Sequence, residues 1–172
     1  MEPVEQEQGD EQEKAMSRAL GYLGYKARTE SEMAQYLEKC GFSPEVGEAV
    51  VARLCELGYL DDEKYIAAFI EARARQTGHA KSRIRGDLRR RGLDRDSVEL
   101  ALDDLDSSYD QSAAVATASK LKRRYLGCDS ATRRRRMLSA LVRRGFDYGV
   151  AMSAISAVED AEPPDGSVLD AV

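Results

Sequence analysis

The sequence has few residues that break helices or form covalent and metal sites. Among 172 residues it has no tryptophan, four prolines, three cysteines and one histidine. Scarce proline, with abundant Ala, Leu, Arg and Glu, favours helix throughout the chain. No apolar run approaches the roughly 18 residues that span a bilayer. The N-terminus lacks the basic segment and apolar core of a secretory signal, so we expect a soluble, cytoplasmic protein.

The residues that usually carry catalysis are also scarce. Cys40, Cys55 and Cys128 are odd in number and lack the paired spacing of a metal site, which favours reduced thiols. His79 lies at a predicted turn between helices and needs no catalytic role there. The sequence contains neither a nucleophile elbow nor a Walker A motif. We therefore expect a protein that is not an enzyme and that uses no cofactor or metal.

The net charge of −5 conceals blocks of opposite sign. Residues 63–93 carry nine bases and three acids, and residues 111–145 carry ten bases and one acid. Between them, residues 94–110 carry seven acids and one base. The two ends, 1–13 and 146–172, carry six acids each and no base. This asymmetry says more about partners than the overall pI does, because each basic block can attract an anion.

A pattern of leucine, glycine stop and polar cap occurs three times, at spacings of 51 and 53 residues. The three copies are Leu37-Gly41-Ser43, Leu88-Gly92-Asp94 and Leu141-Gly145-Asp147. Four positions before each leucine stands another apolar residue, Met33, Ile84 or Met137. Agreement in core spacing, stop and cap indicates one unit of three helices used three times.

We predict an all-α protein of three tandem three-helix repeats in an elongated, curved arrangement. The predicted repeats are residues 14–58, 59–107 and 108–159. A unit this small buries only a modest core, so neighbouring repeats should share apolar surface. Acidic segments without periodicity, 1–13 and 160–172, are predicted to be disordered tails.

The first helix is predicted from about Lys14 to Arg28. Gly21 and Gly24 inside it each cost about 1 kcal/mol relative to alanine, so they either permit close packing or weaken the helix. The remaining helices of this repeat are predicted to begin after Thr29 and Ser43. In the second repeat we expect helices near 61–77, 80–91 and 94–106, and in the third near 110–126, 130–144 and 147–159.

Side-chain caps are predicted at several helix starts. Thr29 with Glu32 fits a capping box, and Ser43 stands before a first-turn proline. Either Asp61 or Asp62 can accept hydrogen bonds from the first turn of the following helix. We interpret this acidic pair as a helix cap instead of an acid–base pair.

Basic side chains point away from the predicted core in the second and third repeats. Ile84 and Leu88 define the buried direction of one helix, and Met137 and Leu141 that of another, at 100° per residue. The predicted partner- or DNA-binding residues are Arg83, Arg85, Arg89, Arg90, Lys122, Arg123, Arg135, Arg136 and Arg143.

These arginines could instead be solvated helix faces paired with acids at neighbouring turns. Within residues 81–91, however, only Asp87 is available, and residues 131–145 contain no acid. Like charges on one helix repel each other, which favours a polyanionic or acidic partner. Base-specific readout is not indicated.

Three segments resemble the RecX family, bacterial regulators of the RecA recombinase, over roughly residues 15–158. The central segment is Gly58-Tyr59-Leu60-Asp61-Asp62, followed by Tyr65, Phe69, Arg73, Arg83-Ile84, Leu88 and Gly92. Ala19-Leu20 and the run from Tyr25 to Met33 resemble the opening of the family, and Leu141 with Arg144-Gly145-Phe146 resembles its close. His79 departs from the pattern at a turn, which leaves the geometry of that turn open.

The resemblance implies three tandem three-helix repeats and a function in recombination, DNA repair and the SOS response. Members bind the RecA filament on single-stranded DNA and block its growth, ATPase, strand exchange and coprotease activity, without catalytic residues or a cofactor. For this chain we expect a monomer whose partners are the RecA filament and single-stranded DNA, and no membrane. The alternative is a helical nucleic-acid-binding module that acts independently of RecA.

Overall fold

The computed structural model describes residues 3–161, and it describes the side chains of residues 9–74 and 78–161. Within that part of the chain there are nine α-helices and no strand, which confirms the predicted all-α class. In the second repeat, the helix Asp62–Glu71 continues as a π-helical turn over Ala72–Thr77 instead of as regular helix. The helices are α1 (Pro3–Leu23), α2 (Glu30–Lys39), α3 (Pro44–Glu56), α4 (Asp62–Glu71), α5 (Lys81–Arg89), α6 (Arg95–Asp103), α7 (Tyr109–Arg124), α8 (Ser130–Arg143) and α9 (Tyr148–Asp160).

The first helix begins earlier than predicted. It starts at Pro3 and not at Lys14, so residues 3–13 are helical where the sequence suggests a disordered tail. The helix can form there because glutamate and glutamine are good helix formers and acids near a helix start complement its dipole. The predicted C-terminal tail lies outside the described residues, apart from Asp160 and Ala161.

The first helix also ends earlier than predicted, at Leu23 instead of Arg28. Gly24 follows directly, and glycine disfavours continuation of a helix. Nothing lies within 4 Å of the position that a Cβ on Gly21 would occupy. This glycine therefore does not permit a close approach, and the interpretation that it weakens the helix remains.

Both predicted caps of the first repeat are present. At α2, Thr29 and Glu32 form the capping box, with the Glu32 N–H donating to Thr29 Oγ1 over 3.1 Å. At α3, the Val46 N–H donates to Ser43 Oγ over 3.3 Å. These bonds satisfy backbone donors that have no partner inside the helix.

The acidic pair at the start of α4 caps two different helices. Asp61 Oδ1 accepts a hydrogen bond of 2.9 Å from the Lys64 N–H, within the first turn of α4. Asp62 Oδ1 accepts one of 3.0 Å from the Glu30 N–H at the start of α2. The prediction of a cap is confirmed, and the structure adds that Asp62 joins the second repeat to the first.

The chain divides into two compact units, and the division falls inside the second repeat. The first unit consists of the chain up to Ile70 together with Gly86–Ala101. The second unit consists of Glu71–Arg85 together with the chain from Leu102 onward. The core of the first unit includes Ala15, Ala19, Met33, Leu37, Val46, Val50, Leu54 and Leu60. The core of the second unit includes Ala80, Ala114, Ala118, Leu121, Met137, Ala140, Leu141, Phe146, Ala151, Ala154, Ile155 and Val158.

In the first unit, the end of α5 docks against the start of α2. Thr29 is fully buried, and its hydroxyl donates to the Arg91 carbonyl over 2.8 Å. Gly92 has a φ of 79°, and a Cβ added there would lie 2.1 Å from Ser31 Oγ. Only glycine fits at this position, because the backbone is left-handed and the neighbouring helix approaches closely.

The second unit contains a docking contact of the same kind, between the end of α8 and the start of α5. The Ala80 N–H donates to the Arg144 carbonyl over 3.0 Å, and Ser82 Oγ donates to the Gly145 carbonyl over 2.6 Å. The start of α5 is also capped from the third repeat, since the Lys81 N–H donates to an Asp110 carboxylate oxygen over 2.9 Å. Repeat periodicity in the sequence thus corresponds to a repeated contact between consecutive repeats.

Replacement of Gly92 by alanine tests this contact. We expect Gly92→Ala to lower the free energy of unfolding by about 2–4 kcal/mol, because it combines left-handed strain with overpacking against Ser31. Gly41→Ala is the matched control, since Gly41 has a φ of 90° and nothing lies within 4 Å of its Cβ position. The control should lose only about 1–2 kcal/mol. Equal losses in urea unfolding would contradict the docking contact.

Candidate partner-binding surface

Helix α8 presents three of the predicted arginines to solvent. Met137 and Leu141 are fully buried, which confirms the predicted inward direction of this helix. Arg135, Arg136 and Arg143 are exposed. Among the described residues, no carboxylate pairs with Arg135. The second unit therefore carries positive charge on the solvent side of α8.

The other two predicted arginines of α8 contact uncharged groups. Arg136 Nη1 lies 3.2 Å from Cys128 Sγ, and its guanidinium carbon lies 5.8 Å from the centre of the Tyr125 ring. Arg143 Nη1 donates to Ser139 Oγ over 2.6 Å. These contacts orient the side chains without neutralising them, so both charges stay available to an anion.

The two predicted basic residues at the end of α7 have different environments. Arg123 is exposed, and no described carboxylate pairs with it. Lys122 is half-buried, and its ammonium donates to the Val158 carbonyl in the last turn of α9. Lysine at a helix C-terminus satisfies a carbonyl that has no partner inside the helix. Lys122 therefore stabilises α9, and Arg123 is the better placed of the two for a partner.

Three of the predicted arginines lie in α5 and Arg90 directly follows it, and the four belong to different units. Arg83 and Arg85 are in the second unit, and Arg89 and Arg90 are in the first. Arg83, Arg89 and Arg90 are exposed, and Arg85 is half-buried. Arg90 forms an ion pair with Asp87, the one acid that the sequence offers within this helix. Arg89 thus offers a charge that no described carboxylate neutralises.

The ion pair of Arg134 could not be predicted from the spacing of residues along α8. Arg134 Nη1 lies 3.3 Å from Glu159 Oε2, and Nη2 lies 3.4 Å from Ser156 Oγ. The absence of acids within residues 131–145 does not exclude ion pairs there, because the acid comes from α9. The conclusion that this helix lacks acidic partners is therefore wrong for Arg134.

A groove in the first unit was missed by reasoning from the sequence. It encloses about 530 Å³ and is lined by the α1–α2 loop, the α3–α4 loop, α4 and Arg91. The rings of Tyr65 and Phe69 lie along it, 6.2 Å apart and inclined by 17°. Tyr59 also lines it and is 59% exposed. The segment from Gly58 to Phe69 carries the family resemblance, which was the only available signal for this groove.

Two cations of this groove are paired with carboxylates of the protein. Lys64 Nζ lies 2.8 Å from Asp61 Oδ2, and this bond, with the Lys64 N–H, holds the pKa of Asp61 below its ordinary value. Arg91 Nη1 lies 2.8 Å from Glu32 Oε1, and the Arg91 guanidinium lies 5.3 Å from the Phe69 ring centre. The Arg91–Glu32 pair holds the end of α5 against the first repeat, whereas the Lys64–Asp61 pair is local to the start of α4.

Within residues 9–74 and 78–161, no group of three or more His, Cys, Asp or Glu side chains is arranged to hold a metal ion. The three cysteines form no disulfide. None of the described helices combines the length and apolarity needed to cross a membrane.

Comparison with known proteins identifies all three repeats. Models of the first, second and third three-helix domains of RecX match residues 15–54, 61–102 and 108–155. Each matched range lies inside one of the repeats predicted from the sequence. The solvent-facing arginines of α8 thus lie in the third of these domains.

Whole-chain comparisons agree with the domain matches. The chain is 37% identical to the regulatory protein RecX of Prosthecochloris aestuarii over 134 residues, which cover 78% of this chain and 86% of the relative. It is 32% identical to that of Mycobacterium ulcerans over 152 residues, 88% of each chain. A crystal structure of regulatory protein RecX superposes with a TM-score of 0.68 at 27% identity, covering 89% of this chain and 73% of that one. RecX from Lactobacillus salivarius has the same fold, with a TM-score of 0.71 at 22% identity, covering 88% of this chain and 98% of that one.

Alanine substitution should distinguish arginines that stabilise the fold from arginines that face solvent. Arg91→Ala is expected to lower the free energy of unfolding by about 1–3 kcal/mol, since it removes a partly buried ion pair and its contact with Phe69. Arg135→Ala is expected to change that free energy by less than about 0.5 kcal/mol. Urea unfolding of the two variants measures the difference. A loss for Arg135→Ala as large as for Arg91→Ala would contradict this division.

Proposed function

The chain belongs to the RecX family of regulatory proteins, and from this membership we propose that it inhibits a RecA recombinase. It binds the RecA filament on single-stranded DNA and limits filament growth. Limited filament growth lowers ATP hydrolysis, strand exchange and coprotease activity, because all three depend on the filament. The protein acts in the cytoplasm as a monomer, in recombination, repair and the SOS response.

The observation that carries the proposal is the set of charges on α8 and the end of α7. Arg123 and Arg135 have no carboxylate partner among the described residues, and Arg136 and Arg143 contact only neutral groups. Guanidinium groups bind phosphate and carboxylate oxygens through paired hydrogen bonds. A filament offers both kinds of acceptor, in its DNA backbone and in acidic protein surfaces.

Tandem repeats suit a filament for a second reason. A filament repeats the same surface along its length, so a protein with several binding elements can contact more than one protomer. Each further contact is intramolecular once the first has formed, which raises the overall affinity without any single strong interaction. Inhibition at less than one molecule per RecA protomer is then expected.

Charge reversal on α8 tests the proposal. We expect Arg135→Glu/Arg143→Glu to lose inhibition of the single-stranded-DNA-dependent ATPase of RecA from the same organism, because the like charge repels the partner. The matched control, Lys14→Glu/Lys39→Glu, makes the same change in net charge at two exposed residues outside α8 and should inhibit as the wild type does. Full inhibition by the α8 variant would exclude this surface, and no effect of the wild type on RecA would exclude the function.

Direct binding of nucleic acid is the second candidate, because the same guanidinium groups fit a phosphate backbone. We expect weak binding to single-stranded DNA alone and tight binding to DNA that carries RecA. Titration across a range of salt concentrations distinguishes the two candidates, since the affinity for a polyanion falls with salt in proportion to the phosphates neutralised. Tight, steeply salt-dependent binding that is the same with and without RecA would favour the nucleic-acid-binding module.

A further inference from the structure

The groove of the first unit leaves the ring of Tyr59 largely exposed. Leu60 is buried, and Asp61 and Asp62 are helix caps, so these neighbours of Tyr59 have structural roles. Tyr59 itself is 59% exposed, and Tyr65 lines the same groove. Exposed aromatic side chains around a concavity are typical of sites that bury a partner side chain.

Two further cations lie in the α1–α2 loop at the edge of this groove. Lys26 is exposed, and neither Lys26 nor Arg28 pairs with a carboxylate of the described residues. The Arg28 guanidinium lies 3.8 Å above the Tyr22 ring, which stacks on the Tyr36 ring at 3.9 Å. Arg28 Nε is buried and has no hydrogen-bond partner among the described residues. The stack therefore fixes the orientation of the Arg28 guanidinium, whose charge no described carboxylate neutralises.

The charges around the groove favour carboxylates over a phosphate chain. Of its four cations, Lys64 and Arg91 are already paired with Asp61 and Glu32, so two charges are left for a ligand. Two cations at one edge are too few to neutralise a continuous run of phosphates. An apolar groove with two cations at one edge matches an apolar side chain flanked by one or two acids.

We propose that this groove binds a short acidic segment of a protein partner. An aromatic or large aliphatic side chain of that segment packs against Tyr59, Tyr65 and Phe69. Neighbouring carboxylates of the segment pair with Lys26 and Arg28. The groove shares no residue with α8, so the protein has a second interaction surface of different chemistry.

Selection from random peptides identifies the preferred ligand without assuming a particular partner. A phage-displayed library of random peptides of about a dozen residues, long enough to fill one groove, is selected on the full-length protein. Binders to the Lys26→Glu variant are removed at each round. The enriched peptides are expected to contain at least two acids beside an aromatic or large aliphatic residue. Failure to enrich any sequence, or enrichment of sequences without acids, overturns the proposal.

Fluorescence anisotropy with the most enriched peptide then locates its site. We expect binding to weaken about tenfold or more in each of three variants, Lys26→Glu, Arg28→Met and Tyr59→Ser. The first two remove a positive charge that pairs with the peptide, and the third removes an aromatic ring that packs against it. Arg28→Met keeps an apolar stem on Tyr22 while it removes the charge. Lys14→Glu, an equal charge change on α1 outside the groove, should leave the affinity unchanged.

Single-stranded oligothymidine serves as the competing probe. It should not displace the peptide at concentrations that saturate any DNA binding by the protein. Displacement of the peptide by oligothymidine would assign the groove to nucleic acid and overturn the proposal. Neither measurement contains RecA, so the result is independent of whether the protein inhibits a recombinase.

Discussion

The structure depends on one repeated contact, in which a helix end terminated by glycine packs against the start of the middle helix of the preceding repeat. Gly92 meets Ser31 in the first unit, and Gly145 meets Ser82 and Arg83 in the second. In both places the carbonyl of the residue before the glycine accepts a hydrogen bond from the start of that middle helix. The donor is the Thr29 hydroxyl in the first unit and the Ala80 N–H in the second. A side chain on either glycine would separate the helices.

This contact explains why the compact units do not coincide with the repeats. Each contact joins consecutive repeats, so part of the second repeat packs with the first and part with the third. Caps supplied from the next repeat reinforce each contact, through Asp62 in the first unit and Asp110 in the second. A single three-helix repeat buries only a modest apolar core, and the shared helix ends add to it.

The arginines divide into two functional groups by their neighbours. Arg91 and Arg134 pair with Glu32 and Glu159, so their charges hold helices together. Arg135, on the solvent side of α8, has no such partner in the described chain. An anionic partner can replace water around such a side chain without first breaking an ion pair, which makes it the better candidate for binding.

Much of the fold follows from local patterns in the sequence. Helical spacing of Met137 and Leu141 sets which way α8 faces, and Thr29 and Ser43 cap helices because their hydroxyls reach the next turn. The repeat of glycine stops, and hence the family resemblance, is also readable from the sequence. Only the tertiary structure shows that Glu159 reaches Arg134, that Lys122 binds the end of α9, and that Tyr59, Lys26 and Arg28 meet at one groove. Those contacts join residues distant in the chain, and local spacing carries no information about which helices approach each other.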